Sequence, residues 1–313
     1  MLSRQYGAVT AVEDLDLEVR AGEVLGFLGP NGAGKTTVTR MLSGLIAPTK
    51  GTAIVLGHDV EAGAEAVRRG VGVLTEATGL YKRLTARENL RFYAGLYGVN
   101  RIDAERRIDH YLRRLDLKHA GDRPVATYSK GMGQKVAIIR ALLHEPRLVF
   151  LDEPTAGLDV ESARTVRDFI LTLKDEGRTV FLCTHHLDEA ERVCDRVAIF
   201  KRRIIAMGDA HRLRQDLAGR KVVVRLASRA EADLLERVTG LPFVEDAQLR
   251  EDGDLVATLN NPEVETPELV RLLVEGGGRV QAVRPATASL EEVYLKLVEN
   301  GPSSAASGRK GEA

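Results

Sequence analysis

Gly29-Pro30-Asn31-Gly32-Ala33-Gly34-Lys35-Thr36, followed by Thr37, stands directly after the apolar run Val24–Leu28. The spacing fits G-x-x-x-x-G-K-[ST]. Glycines at these positions let the backbone curl until several N–H groups point inward at one anion. A helical segment follows, and its N-terminus adds partial positive charge. In this reading Lys35 reaches the β- and γ-phosphates of a nucleotide and the Thr36 hydroxyl binds Mg²⁺. A glycine-rich loop alone reads equally well as a tight turn. The Lys-Thr pair between a strand and a helix decides for a phosphate cradle.

Far along the chain, Leu148-Val149-Phe150-Leu151 runs into Asp152-Glu153. A buried strand that ends in paired carboxylates needs a partner for the charge. A Mg²⁺–phosphate complex is such a partner. Asp152 then belongs to the Mg²⁺ shell. Glu153 stands beside the γ-phosphate, where it orients or deprotonates the attacking water.

Working outward, the first two thirds alternate short apolar runs with helical patterns. Val24–Leu28, Leu148–Leu151, Val180–Cys183 and Val197–Phe200 read as strands of a buried parallel sheet. Val166, Phe169, Ile170 and Leu173 mark one helix face, and Gly177 is the stop. The alternation implies an α/β core. Residues 85–118 are helical in pattern and read as an insertion in that core, their mixed Arg and Asp as a solvated face.

After about residue 215 the pattern changes. Val222–Leu226 reads as a strand, and Ser228 with Glu231 as the capping box of a helix. Phe243–Leu249 and Leu255–Leu259 flank the hairpin signal Asp252-Gly253. Thr266-Pro267 reads as the opening of another helix, Arg279–Val283 as a strand, and Ser289 with Glu292 as a second capping box. This β-α-β-β-α-β-α order predicts a small ferredoxin-like α+β domain. The expected organisation is residues 1–215 as the α/β domain, with a helical part at about 85–145. Residues 216–300 form the small domain, and the Gly/Ser/Ala-rich stretch 301–313 is a disordered tail.

Bulk composition sets outer limits. With 45 Lys+Arg against 45 Asp+Glu, the formal net charge of this 313-residue chain is zero. A dedicated nucleic-acid binder would carry a basic excess, so no nucleic-acid partner is expected. No uncharged stretch reaches the roughly 18–20 residues of a membrane-crossing helix, and Met1–Tyr6 lacks the apolar core of a signal peptide. Membrane association is therefore expected to come through a partner. Cys183 and Cys194 form no metal-ligand or CxxC pattern and read as buried structural thiols.

Around the two phosphate-site motifs the residues resemble one family, the ABC ATPases, over roughly residues 4–210. Pro154-Thr155-Ala156-Gly157-Leu158-Asp159 resembles the family's D-loop, joined to its Walker B strand. Tyr128-Ser129-Lys130-Gly131-Met132-Gly133-Gln134-Lys135 resembles its signature sequence. Thr184-His185-His186-Leu187-Asp188-Glu189-Ala190 resembles its switch segment, with His185 in the histidine's place. Tyr6 sits where the family keeps an aromatic that stacks on adenine. The resemblance implies a P-loop NTPase core of ABC-ATPase type that binds ATP and Mg²⁺. Two copies close on two ATP molecules, Ser129 and Gly131 of one facing the phosphate bound by the other, with Asp159 at the nucleotide. His185 touches the γ-phosphate beside Glu153. The family's further partner is an integral membrane permease, which places the subunit on the cytoplasmic face of the membrane.

There are three departures. Glu76 stands where the family keeps a Gln that reaches Mg²⁺ and the nucleotide; it can still do so through water, with added negative charge. Lys130 and Met132 replace the signature's commoner Gly and Gln, and Lys130 is expected to point to solvent. The family also keeps an edge strand ahead of its adenine aromatic, and this chain starts only a few residues before Tyr6, so its N-terminus is expected to be truncated or misassigned. Leu74-Thr75-Glu76, Gly79–Thr85 and Leu290–Leu295 resemble the exporter branch, which includes drug, antibiotic and sodium efflux systems. Two other readings stand beside this one. One is a non-transport ABC ATPase acting on ribosomes or DNA; the other is a module that holds ATP without hydrolysing it.

Overall fold

The computed structural model describes residues 1–75, 77–209, 221–227, 232–250 and 253–285, in two compact units that part near residue 210. Glu76, the two capping boxes, Asp252 of the hairpin signal, the segment 290–295 and the tail 301–313 lie outside the described residues.

In the first unit β1 (Leu2–Tyr6) pairs antiparallel with β2 (Val9–Leu15). Leu2 and Leu15 pair across this ladder and are both buried, so the residues ahead of Tyr6 form a strand. Then come β3 (Val24–Leu28), α1 (Lys35–Leu42), the small hairpin β4 (Ile54–Val55) and β5 (His58–Asp59), α2 (Ala64–Gly70) and β6 (Val71–Leu74). Two helices, α3 (Ala86–Leu96) and α4 (Arg101–Arg114), precede α5 (Lys130–Leu142). The unit continues with β7 (Leu148–Asp152), α6 (Val160–Asp175), β8 (Thr179–Thr184), α7 (Leu187–Val193), β9 (Arg196–Lys201) and β10 (Arg203–Asp209). Six strands make one sheet in the order β10-β9-β3-β8-β7-β6, parallel except for β10.

The period of two along each strand divides the core. Val149, Leu151, Val180 and Leu182 face the side covered by α3, α4, α5 and α6. Leu148, Phe150, Phe181 and Cys183 face the other, with Phe27, Phe200, Val38 and Met41. There Phe27 packs on Phe200 and Phe181 at centroid distances of 4.5 and 5.1 Å. Burying each such ring is worth about 1.5–3 kcal/mol. This double burial explains why the strands read as continuous apolar runs. Val166, Phe169, Ile170 and Leu173 are the buried face of α6, and Gly177 follows its end at φ 76°.

The solvated face expected for residues 85–118 holds for Arg101, Arg106 and Arg113, which are exposed, and needs correction for Arg87 and Arg107. Arg87 is 16% exposed and pairs with Asp109, Glu105 and Asp122. Arg107, 17% exposed, pairs with Glu145 at 2.6 Å and donates to the Leu143 carbonyl at 2.7 Å. These guanidiniums tie α3 and α4 to their neighbours; composition alone does not distinguish a tie from a solvated charge.

In the second unit β11 (Lys221–Leu226), α8 (Ala232–Thr239), β12 (Val244–Leu249), β13 (Asp254–Leu259), α9 (Pro262–Glu275) and β14 (Val280–Pro285) follow in turn. The sheet is antiparallel in the order β12-β13-β11-β14, which is the split β-α-β arrangement. The helix expected to open at Thr266-Pro267 opens earlier, with Asn261 as N-cap and Pro262 in its first turn. Glu265 accepts the Asn261 N–H at 2.6 Å and the Thr266 hydroxyl donates to the Pro262 carbonyl, so the first turn is closed by side chains before Pro267 is reached.

Candidate active site

The loop between β3 and α1 is shaped by close main-chain neighbours. A Cβ on Gly29 would collide with the Phe200 carbonyl oxygen, and one on Gly34, at φ 106°, with that of Ala11. Gly32 is also left-handed, at φ 79°, with open space around it. Asn31 is exposed, Pro30 accepts the Ala33 N–H, and Ala33 in turn accepts from the Arg202 N–H at 3.0 Å. Inside the curl lies the Lys35 ammonium, 6% exposed, which donates to the Gly29 carbonyl at 2.6 Å. Thr37 is half-buried in the first turn of α1.

β7 brings the two acids to this loop. Asp152 is buried at the strand end and accepts from the Thr36 hydroxyl at 2.8 Å. The next residue, Glu153, has φ 49°, and its N–H donates to the Cys183 carbonyl on β8. Left-handed backbone at a non-glycine residue costs about 1–3 kcal/mol. It turns the side chain so that Oε1 lies 3.3 Å from Lys35 Nζ and accepts from His185 Nδ1 at 2.9 Å. Oε2 is buried and has no hydrogen-bond partner. A buried carboxylate oxygen left unpaired is costly unless something else approaches it. A water poised for deprotonation is such a group. Thr36 and Asp152, both oxygen donors already 2.8 Å apart, suit Mg²⁺, which favours oxygen ligands.

Five expected site residues, Lys35, Thr36, Asp152, Glu153 and His185, thus form one connected cluster. Others lie in different surroundings. Ser129 caps α5 by accepting the Met132 N–H at 3.2 Å. A Cβ on Gly131 would press on Ser162 of α6, and the exposed Lys130 lays its ammonium over Gly157. Asp159 caps α6 by accepting the Ser162 N–H at 2.8 Å, a bond that holds its carboxyl below the usual range. Tyr6, 44% exposed at the end of β1, carries the Arg4 guanidinium over its ring at 4.7 Å. Glu76 lies outside the described residues.

The sequence reading missed a second carboxylate link. Glu189 of α7 is 8% exposed. It accepts from the Thr155 hydroxyl at 2.6 Å and pairs with Arg167 of α6 at 3.3 Å. It joins the turn after Glu153 to the helix that follows His185. The available signal was slight: Glu189 lies beside Ala190 on the inward face of a short helix, where a charge needs a partner. Cys183 is buried, and burial pushes its thiol far above the usual range, as it does for Cys194. Both are poor nucleophiles in consequence.

Among the described residues no helix is long and apolar enough to cross a membrane. Residues 12–156 match the family model described as "ABC transporter". The chain is 38% identical over 304 residues to the daunorubicin/doxorubicin resistance ATP-binding protein DrrA of Streptomyces peucetius, covering 95% of this chain and 90% of that one. It is 33% identical over 307 residues to the bacitracin transport ATP-binding protein BcrA of Bacillus licheniformis, covering 96% of each. A solved structure of an ATP-binding subunit of an ABC transporter superposes with a TM-score of 0.63 at 36% identity, over 69% of this chain and 90% of that one. With this identity over nearly the whole chain, and a solved ATP-binding subunit sharing the fold around the strand-loop-helix cradle, one assignment is left: the chain belongs to the ATP-binding subunits of ABC transporters.

Proposed function

We propose that this subunit hydrolyses ATP to power an ABC exporter of a drug-like, lipid or ionic substrate. The observation that carries the hydrolytic part is Glu153, whose carboxylate has a cation on one oxygen and nothing on the other. ATP phosphates entering the loop compete with the Gly29 carbonyl for the Lys35 ammonium. As the ammonium moves to the phosphates, Glu153 loses its cation neighbour and its carboxylate is left free for the attacking water. Its unpaired oxygen takes a proton from water while the water oxygen attacks the γ-phosphorus. The bond to the bridging oxygen breaks, and ADP and phosphate leave. His185, hydrogen-bonded to Glu153, fixes the carboxylate's orientation and reaches the γ-phosphate. Thr36 and Asp152 would hold Mg²⁺, which would neutralise phosphate charge when bound; Glu76, proposed as a further, water-bridged ligand, lies outside the described residues.

The remaining assignments extend this reading. Residues 1–215 form the ATP-binding domain and 216–300 the small domain. Tyr6 stacks on adenine. Two copies close so that Ser129 and Gly131 of one meet the nucleotide of the other, with Asp159 at that boundary; the capped N-terminus of α5 is suited to a phosphate. An integral membrane permease docks near residues 76–85, at the cytoplasmic face. Exposed aromatics support that surface: Tyr81 and Phe92, 50% and 44% exposed, meet edge to face at 5.3 Å. Export is supported by DrrA and BcrA, whose names assign them to resistance and to bacitracin transport.

The test is partner capture. A tagged Glu153→Gln variant held with ATP should co-purify with a polytopic membrane protein from detergent-solubilised native membranes. Recovery of ribosomal or DNA-repair proteins, with no membrane protein, would sink the export reading and leave the ATPase cycle standing.

A further inference from the structure

Beside the catalytic carboxylate stands a side chain that hydrolysis does not use. His186 is exposed at the start of α7, fixed by its N–H, which donates to the Thr184 hydroxyl at 2.9 Å. Its ring lies against that of His185, centroids 4.0 Å apart. One ligand atom from each of Glu153, His185 and His186 lies within 4.8 Å of the other two. Two imidazoles and one carboxylate are the donor set of borderline divalent ions such as Zn²⁺, whereas Mg²⁺ seeks oxygens. With zinc bonds near 2.0–2.1 Å, tetrahedral ligands stand about 3.4 Å apart. The widest pair must close by at most roughly 1.4 Å, and rotation of the exposed His186 side chain can supply that. The Lys35 ammonium on the same carboxylate opposes the ion and weakens the site without blocking the imidazoles.

We propose that Glu153, His185 and His186 form an inhibitory site for a zinc-class divalent ion. Ion binding is a property of the three side chains. The inhibition rests on the ATPase reading above, because the ion removes the carboxylate from the water and His185 from the phosphate.

Two measurements on the full chain test this: calorimetric titration of Zn²⁺ into the nucleotide-free protein, and phosphate release at saturating Mg-ATP with Zn²⁺ titrated in. The wild type should bind one ion and lose hydrolysis. His186→Ala should keep basal hydrolysis while ion affinity falls at least tenfold and the half-inhibitory concentration rises in step. His186→Cys, which restores a ligand, should recover both. Unchanged affinity and inhibition in His186→Ala would overturn the site, as would a wild type that takes up no ion. Ion binding that depends on His186 in a protein with no hydrolysis would support the site and overturn the ATPase reading instead.

Discussion

Two carboxylates, one in each unit, are held in opposite ways. Asp254 on β13, 2% exposed, accepts from Arg225 Nε and Nη2 at 3.0 and 3.2 Å, and Arg284 adds a contact at 3.5 Å. Glu153 has a strained backbone, shares one oxygen between Lys35 and His185, and leaves the other bare. A carboxylate that only holds a sheet together is saturated by fixed partners. The carboxylate proposed as general base keeps an oxygen for a group that arrives and leaves, at a standing cost in stability.

The largest expected effect breaks that contrast at Glu153. Glu153→Gln should bind ATP and lose hydrolysis by about 10²–10⁴-fold, the usual worth of a general base. Near-normal phosphate release would remove Glu153 from the role.

Glu189 is an intermediate case, since Thr155 and Arg167 occupy its two oxygens, yet it adjoins the site. Thr155→Val keeps the shape and deletes a buried hydrogen bond to a charge. We expect about 1–3 kcal/mol of destabilisation in denaturant titration, with slower hydrolysis because α7 and His185 lose their tie. If hydrolysis is unchanged while stability falls, the link belongs with Asp254 as purely structural.

Asp254→Ala should have a smaller effect. Arg225 and Arg284 are 54% and 58% exposed and return readily to water, so about 1 kcal/mol is expected. Hydrogen exchange at the β11 and β13 amides would report it. The smallest effect is in pH. The Arg225 hydrogen bond holds the Asp254 carboxyl below the usual carboxylate range. Its stabilisation is therefore complete above the unfolded value of about 3.9 and is lost as pH falls through the lower folded value. The wild type should lose slightly more stability than Asp254→Ala between pH 5 and 3; parallel curves would refute the linkage.

The sequence carried the Lys35 loop, the Asp152-Glu153 strand end and the α6 face because each is a local pattern with a fixed period or spacing. Whatever depended on distant partners was hidden. Arg87 and Arg107 were indistinguishable from solvated charge until Asp109 and Glu145 were brought to them. Glu189 gave no sign of Thr155, 34 residues away. The start of α9 was missed for a local reason: Thr266-Pro267 imitates a helix opening, while Asn261-Pro262 supplies the real one. For Glu153, the sequence indicated the residue type; the φ of 49° and the bare oxygen are properties of the fold.

The atoms that crowd Gly29 and Gly34 are the carbonyl oxygens of Phe200 and Ala11. Every amino acid carries a carbonyl, so changing residue 11 or 200 cannot widen the space, while any side chain at 29 or 34 must displace a strand. Tolerance to mutation is thus one-sided across the same contact. A saturation scan read by nucleotide binding should find position 11 permissive and position 34 closed.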